Sequence, residues 1–270
     1  MTCTRCRQFD AAPGGELCRA CEAEDQHPDV GAGLPKAPPP VVGVPLGPPP
    51  LLQSPVVLGR VVTILLGAVV VADLVAVWAD LALLDVMNRM VADDWSVALE
   101  RDSDWADVLI ALAATLQTFT YLATAVVFLV WFHRVRVNAE VFDPFGHRKK
   151  RGWAIAGWFV PVVNLWFPRR IAVDCWEASG PWRKPRSHAL VNTWWTLWLL
   201  SLIAGEVGDR AYFRAEAVEE YRTAAQQMLF ADSLEIVSAV FAALFVLALT
   251  RMQDDKARSG PREPEPVAAL

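Results

Sequence analysis

The sequence predicts an all-α integral membrane protein with four transmembrane helices and one further re-entrant or interfacial segment. Three observations predict it. The mean hydropathy is +0.29 although 20% of the 270 residues are charged and 19 are prolines, so the apolar residues must be gathered into blocks. Those blocks have the length that crosses a bilayer core, about 20 residues. Twelve tryptophans suit a chain with membrane interfaces, where this residue collects. Such a composition excludes a soluble enzyme, a disordered protein and a collagen-like chain. Arginine outnumbers lysine 20 to 5, which reads as codon bias, and no nucleic-acid partner is expected.

The first element, residues 1–34, is polar and holds four of the five cysteines. Met1 to Asp10 lacks the basic start and apolar stretch of a secretory leader. Cys3-Thr-Arg-Cys6 and Cys18-Arg-Ala-Cys21 are two C-x2-C knuckles separated by eleven residues. Each knuckle places two thiolates on one metal, and two knuckles complete a tetrahedral four-thiolate zinc site. Pro13-Gly14-Gly15 supplies a turn between them, with Phe9 and Leu17 as the few side chains able to pack. A hairpin this small cannot bury enough apolar surface alone, so bound metal would supply its folding energy. The expectation is a short zinc ribbon with a structural zinc on Cys3, Cys6, Cys18 and Cys21. Four thiolates leave no open position for catalysis. Two disulfides are the competing reading, but they need an oxidising compartment, and cytoplasmic placement of this end counts against them. Cys175, alone beside Trp176, reads as a buried inert thiol.

Residues 35–55 carry nine prolines. That density favours extended polyproline II, a semi-rigid linker of at most about 65 Å at ~3 Å per residue.

The membrane domain follows over residues 56–250. Val56 to Ala79 is apolar except for Arg60, Thr63 and Asp73, and Val108 to Phe132 has no charge. Leu190 to Gly208 has only Glu206, and Met228 to Thr250 has Asp232 near its start and Glu235 within. Spans are therefore expected at about 56–79, 108–132, 190–208 and 228–250, all helical because a lipid-exposed backbone must satisfy its own hydrogen bonds. A fifth block, 153–168, is short and is interrupted by Pro161 and Asn164. It suits a re-entrant or interfacial segment. Residues 251–270 read as a disordered cytoplasmic tail.

Charge sets the orientation. Residues 133–152 carry six Lys/Arg and 169–189 carry five, against two in 88–107 and three in 209–227. If 153–168 does not span, both basic stretches lie on one side, as the positive-inside rule requires. The expected protein is a multi-pass cell-membrane protein with both termini cytoplasmic. Its outer loops are then acidic, with Asp93, Asp94, Glu100, Asp102, Asp104 and Asp107 in one, and Glu216, Glu219 and Glu220 in the other.

From Trp131 the chain reads Trp131-Phe-His-Arg134-Val-Arg-Val-Asn138, then a basic loop Arg148-Lys-Lys-Arg151. The run Gly152-Trp153-Ala-Ile-Ala-Gly157-Trp158-Phe159-Val-Pro161-Val-Val-Asn164-Leu165-Trp-Phe-Pro168 follows, and an amphipathic stretch with Asp174 and Trp176 closes it. This resembles the bacterial membrane family catalogued as domain of unknown function 4328, whose pattern is W-x-x-R-x-x-x-N, a basic loop, G-W-x-x-x-x-W-F-x-P-x-x-N-L-x-x-P and an acid–Trp pair. The resemblance implies the membrane topology over about residues 60–250 and no assigned activity. On a 3.6-residue period Trp153, Gly157, Pro161, Asn164 and Pro168 share one face, while Trp158, Phe159, Trp166 and Phe167 supply interfacial aromatics. The segment reads either as a structural wedge or as a ligand-binding element. Arg134, Arg136 and the Arg148–Arg151 cluster set topology and are placed to meet anionic lipid.

Asp73, Glu206 and Glu235 are the carboxylates placed furthest inside the expected spans, so each should face the bundle interior or an interface. Asp73 shares a helical face with Ala76 and Asp80, and Ala68, Ala72 and Ala76 make a small-residue stripe suited to close packing. Glu235 shares one with Ser238 and Ala242. There is no H-E-x-x-H, G-x-S-x-G or P-loop, so no catalytic residue is assigned. His133, His147 and His188 read as cytoplasmic-loop residues, which argues against paired haem ligation. The expected role is a non-enzymatic scaffold or sensor. Its ribbon would bind a cytoplasmic protein partner and its bundle lipid or a membrane partner. The alternative is a small transporter or channel subunit using the intramembrane carboxylates.

Overall fold

A computed structural model describes residues 3–4, 14–16, 52–93, 95–181 and 186–260. The chain divides into two compact units, Met1–Pro49 and Pro50–Leu270. In the first, Cys3 is buried. The backbone N–H and the hydroxyl of Thr4 both donate to the Glu16 carbonyl, at 3.0 and 3.1 Å. Gly14 turns the chain between them at φ +90°, a conformation that glycine takes without a Cβ penalty. Cys6, Cys18 and Cys21 lie outside the described residues, as does most of the proline-rich stretch.

Among its described residues the second unit has helices and turns but no strand. Its elements are α1 (Val56–Val91), α2 (Val97–Phe142), α3 (Trp153–Ala156), a 3₁₀ turn (Val163–Leu165), α4 (Phe167–Ser179), α5 (Ala189–Arg214) and α6 (Val218–Arg258). Among the described residues, three helices are long and apolar enough to cross a membrane: α1, α2 and α6. The 26-residue α5 falls outside that set. It carries Glu206, Asp209 and Arg210 in its second half. α1 packs against both α2 and α6, α5 packs against α6, and α4 lies across α2, α5 and α6.

The helices outrun the expected spans, for local reasons. α2 begins where Ser96 caps it, its Oγ accepting from the Leu99 N–H at 3.3 Å. Residues 97–107, expected as an outer loop, are helical because Leu99 and Ala106 bury themselves against Val86 of α1. Arg89 of α1 also pairs with Asp102 at 2.7 Å. At its other end α2 continues through His133, which is therefore helical and not in a loop. α6 likewise runs to Arg258 where a disordered tail was expected from residue 251. Met252 and Gln253 are buried there, and Lys256 Nζ donates to the carbonyls of Ala178 and Gly180 at 2.7 and 3.0 Å.

The segment 153–168 departs from the helical wheel. Only Trp153–Ala156 is α-helical. Pro161 cannot donate to a helix ladder, and Val162 follows at φ +67°, ψ −49° with the Val163 N–H on the Pro161 carbonyl at 2.7 Å. That is the uncommon positive-φ γ-turn. The chain reverses there, so Trp153, Gly157, Pro161, Asn164 and Pro168 do not line one continuous helical face. Phe159, Val162, Leu165 and Trp166 are exposed around the reversal.

Candidate functional site

Aromatic residues from three elements meet at one side of the bundle. Phe128 of α2 touches Trp158 edge-on at 5.5 Å between ring centroids and Trp194 of α5 at 6.1 Å. Trp158 also contacts Trp195 and Trp198 of α5, at 5.9 and 5.4 Å. The turn carrying Trp158 is held to α5 by the Trp195 indole N–H, which donates to the Leu165 carbonyl at 3.2 Å. Trp158 therefore reaches into the bundle although its own segment makes barely one helical turn. Phe128, Trp158, Trp194 and Trp198, with Tyr121, Thr124, Ser238, Glu235 and small residues of α6, line a half-open cavity of about 260 Å³.

Beside the cavity lies a polar cluster. Asp73 and Asp80 of α1 are buried. Asp73 Oδ1 accepts from Tyr121 Oη at 3.0 Å and from Gln117 Nε2 at 3.2 Å. Gln117 Nε2 also donates to Asp232 Oδ1 of α6, at 3.2 Å. One amide of α2 thus bridges carboxyl groups on its two neighbours. Asp80 Oδ2 and Asp73 Oδ2 are buried without a hydrogen-bond partner, so the cluster has acceptor capacity that no donor fills. Glu235 is half-buried one turn beyond Asp232 and lines the cavity with Ser238 and Ala242. Glu206 does not join this group. It is largely exposed and pairs with Arg210 at 2.7 Å.

The motif residues of the 131–179 region form a second polar network, at the other end of the spans. Trp131 is fully buried, and its indole N–H donates to Thr250 Oγ1 at 3.0 Å. Asn138 makes three hydrogen bonds: its Nδ2 donates to the Gln53 carbonyl at 2.7 Å and to Gln253 Oε1 at 3.1 Å, and its Oδ1 accepts from the Gln53 N–H at 3.0 Å. Gln253 Nε2 in turn donates to the Val135 carbonyl and to Ser179 Oγ. Arg134 reaches the Ser54 carbonyl at 3.2 Å. Arg136, one turn before Glu140, is 1% exposed and pairs with it at 2.8 Å. Arg151 pairs with Glu140 as well.

The rest of the motif serves the same framework. Asp174 accepts from the Arg148 N–H at 3.4 Å, and Trp176 stacks on Phe245 of α6. Gly152 precedes α3, where Trp153 meets Phe167 edge-on at 5.0 Å. Asn164 sits half-buried in the 3₁₀ turn, and Pro168 is buried in the first turn of α4. Phe159 and Leu165 face outward. Cys175 is buried, and burial pushes its thiol up to about 12.

Sequence reasoning missed Gln117, Tyr121 and Asp232 as partners of Asp73, and Arg136 as the buried cation. The signal available was spacing. Gln117 and Tyr121 are four residues apart on α2, Asp232 and Glu235 three apart on α6, and each pair shares a helical face. Among the described residues, no group of three or more His, Cys, Asp or Glu side chains could hold a metal ion.

A family model described as Domain of unknown function (DUF4328) matches residues 96–251. No curated protein and no solved structure matches the chain.

Proposed function

This chain belongs to the DUF4328 family of domains of unknown function, and from that premise we propose that it is a non-enzymatic membrane receptor that binds a small amphiphilic ligand within its helical bundle. The observation that carries the reading is the cavity of about 260 Å³ between α2, α5, α6 and the 153–168 segment. Concave, largely apolar sites with a few polar groups are where small ligands bind. Four transmembrane helices with both termini cytoplasmic fit this reading. Leu200, Leu202, Ile203 and Val207 of α5 are exposed apolar residues, as on the three longer helices, and such a surface is stable against lipid. The reversal at Pro161–Val162, with its exposed Phe159 and Trp166, then dips into the cytoplasmic interface.

The N-terminal module is the output side of this receptor. Cys3, Cys6, Cys18 and Cys21 have the donor chemistry and spacing of a structural zinc ribbon, and a ribbon on a proline tether reaches a cytoplasmic protein partner. The exposed Arg148 and Lys150 meet anionic lipid headgroups of the cell membrane.

Native mass spectrometry of the full chain released from nanodiscs tests the receptor reading. A small molecule or lipid should remain bound to the wild type and be lost from an Ala242→Trp variant that fills the cavity. Identical spectra for the two proteins would refute it. The same spectra report zinc, and absence of a bound zinc mass that depends on the four cysteines would remove the ribbon.

The bridge Asp73–Gln117–Asp232 favours a second reading, a small transporter or channel subunit that moves a proton or cation along these carboxyl groups. Flux in liposomes that disappears in Asp73→Asn would support it. Proteoliposomes without flux above empty vesicles would end it.

A further inference from the structure

We propose that the ligand of the bundle cavity is a lipophilic organic cation, a protonated or quaternary amine held by a cage of aromatic rings and one carboxylate. The inference rests on the receptor reading and adds the ligand's chemical class. Five partly or fully buried aromatic side chains line the cavity, Tyr121 and Phe128 from α2, Trp158 from the central segment, and Trp194 and Trp198 from α5, with the exposed Phe159 at its rim. Glu235 is the one ionisable carboxylic acid in that wall, and no lysine, arginine or histidine lines it.

These features select by charge. Ring faces carry a negative quadrupole and attract cations, most strongly where water is excluded. Glu235 adds the one acidic group of this wall, and no cation among the lining residues competes for it. An anionic ligand would meet both Glu235 and the ring faces unfavourably. A neutral acyl chain would draw no electrostatic attraction from the ring faces or from Glu235. A lipophilic cation satisfies the rings and the acid together.

The cavity lies just under the range typical of drug-sized ligands, about 300–1,000 Å³, so the cationic group and one small apolar substituent would fill it.

The test uses the full chain in lipid nanodiscs with radiolabelled benzyltrimethylammonium as probe. Its neutral carbon isostere, neopentylbenzene, serves as competitor. Saturable binding of the cation, weakened about tenfold or more in Glu235→Gln and competed poorly by neopentylbenzene, is the expected result. Trp198→Leu should weaken binding while Trp198→Phe retains it, which separates a cage from a folding defect. If neopentylbenzene competes as well as the unlabelled cation and Glu235→Gln binds like the wild type, the cationic inference is overturned while the cavity reading stands. If neither compound binds saturably, and Ala242→Trp also leaves the native mass spectrum unchanged, both fall.

Discussion

Gly59 and Thr250 meet where α1 packs on α6: a Cβ built on the glycine would stand 2.4 Å from the threonine Oγ1 and 2.9 Å from its Cγ2. The same Oγ1 receives the Trp131 indole N–H at 3.0 Å, so three helices are joined at one point. Gly59→Ala must displace Thr250 and break that hydrogen bond. Overpacking of this kind costs about 1–3 kcal/mol. Thr250→Ala relieves the crowding but leaves the Trp131 donor unpaired, a loss of about 1–3 kcal/mol. Because both variants lose the same hydrogen bond, the double variant should be less destabilised than the sum of the two. Thermal unfolding in detergent across this cycle measures the coupling. Additive losses would show that the contact is not shared.

Asn138 ties the entry of α1 to α2 and α6, and both N–H donors of its amide are used. Replacing it with Asp removes two donated bonds and sets a carboxylate against the Gln53 carbonyl and Gln253 Oε1. Gln253 cannot turn its amide to help, because its Nε2 already serves the Val135 carbonyl and Ser179 Oγ. Asn138→Asp should cost about 3 kcal/mol or more and exceed Asn138→Ala, which introduces no charge. Chemical or thermal unfolding of the two variants ranks them, and equal stabilities would contradict the network.

These residues also show what the sequence could and could not reveal. Apolar length and block structure placed α1, α2 and α6, since the need to satisfy backbone hydrogen bonds in lipid leaves few alternatives. The motif Trp131, Arg134, Asn138 was visible as a pattern, but its purpose depends on Gln53, Gln253 and Thr250, which are distant in sequence. Arg136 was read with its basic neighbours as a topology signal, yet it is the one that burial isolates. Asp73 stood out as a charge in an apolar run. Gln117 and Tyr121 did not, because a charge-free stretch hides uncharged polar groups. The hairpin at Pro161–Val162 was signalled by its proline, whereas the positive φ falls on a valine that no propensity would choose.

Cys175 should behave as a buried apolar side chain. Its thiol is pushed up to about 12 chiefly by burial, against an ordinary value of 9.0. The thiolate is the reactive form, so maleimide labelling of the folded protein at pH 7–9 should leave the Cys175 peptide unmodified, with full labelling in denaturant. The sign of the linkage follows. The unfolded thiol ionises above pH 9 and the folded one does not, so this residue's stability contribution is complete below pH 9 and is lost as pH rises toward 12. One unit above the unfolded value the loss is about 1.4 kcal/mol. The gap in unfolding midpoint between wild type and Cys175→Ala should therefore shift against the wild type from pH 8 to pH 10. A pH-independent gap, or rapid native labelling, would place the thiol in contact with water.

Val162 occupies the middle of the γ-turn at φ +67° and ψ −49°. Positive φ crowds a β-branched side chain against its own backbone, and such strained residues store about 1–3 kcal/mol. Glycine adopts this conformation without that strain, at an unfolded-state entropy cost of up to ~1 kcal/mol. The valine side chain is 63% exposed, so its removal leaves almost no cavity in the bundle. Val162→Gly should therefore hold or raise the unfolding midpoint, by up to about 2 kcal/mol of stability. At most interior valines the same change would lower it. The exposed position also predicts that Val162→Ile changes little, since it keeps both the strain and the exposure. If Val162→Gly lowers stability while leaving ligand retention intact, the strain is absent and the valine is held by lipid contacts instead. If it raises stability and weakens retention, the strain holds Trp158 against Phe128 and Trp198, and the turn belongs to the binding site.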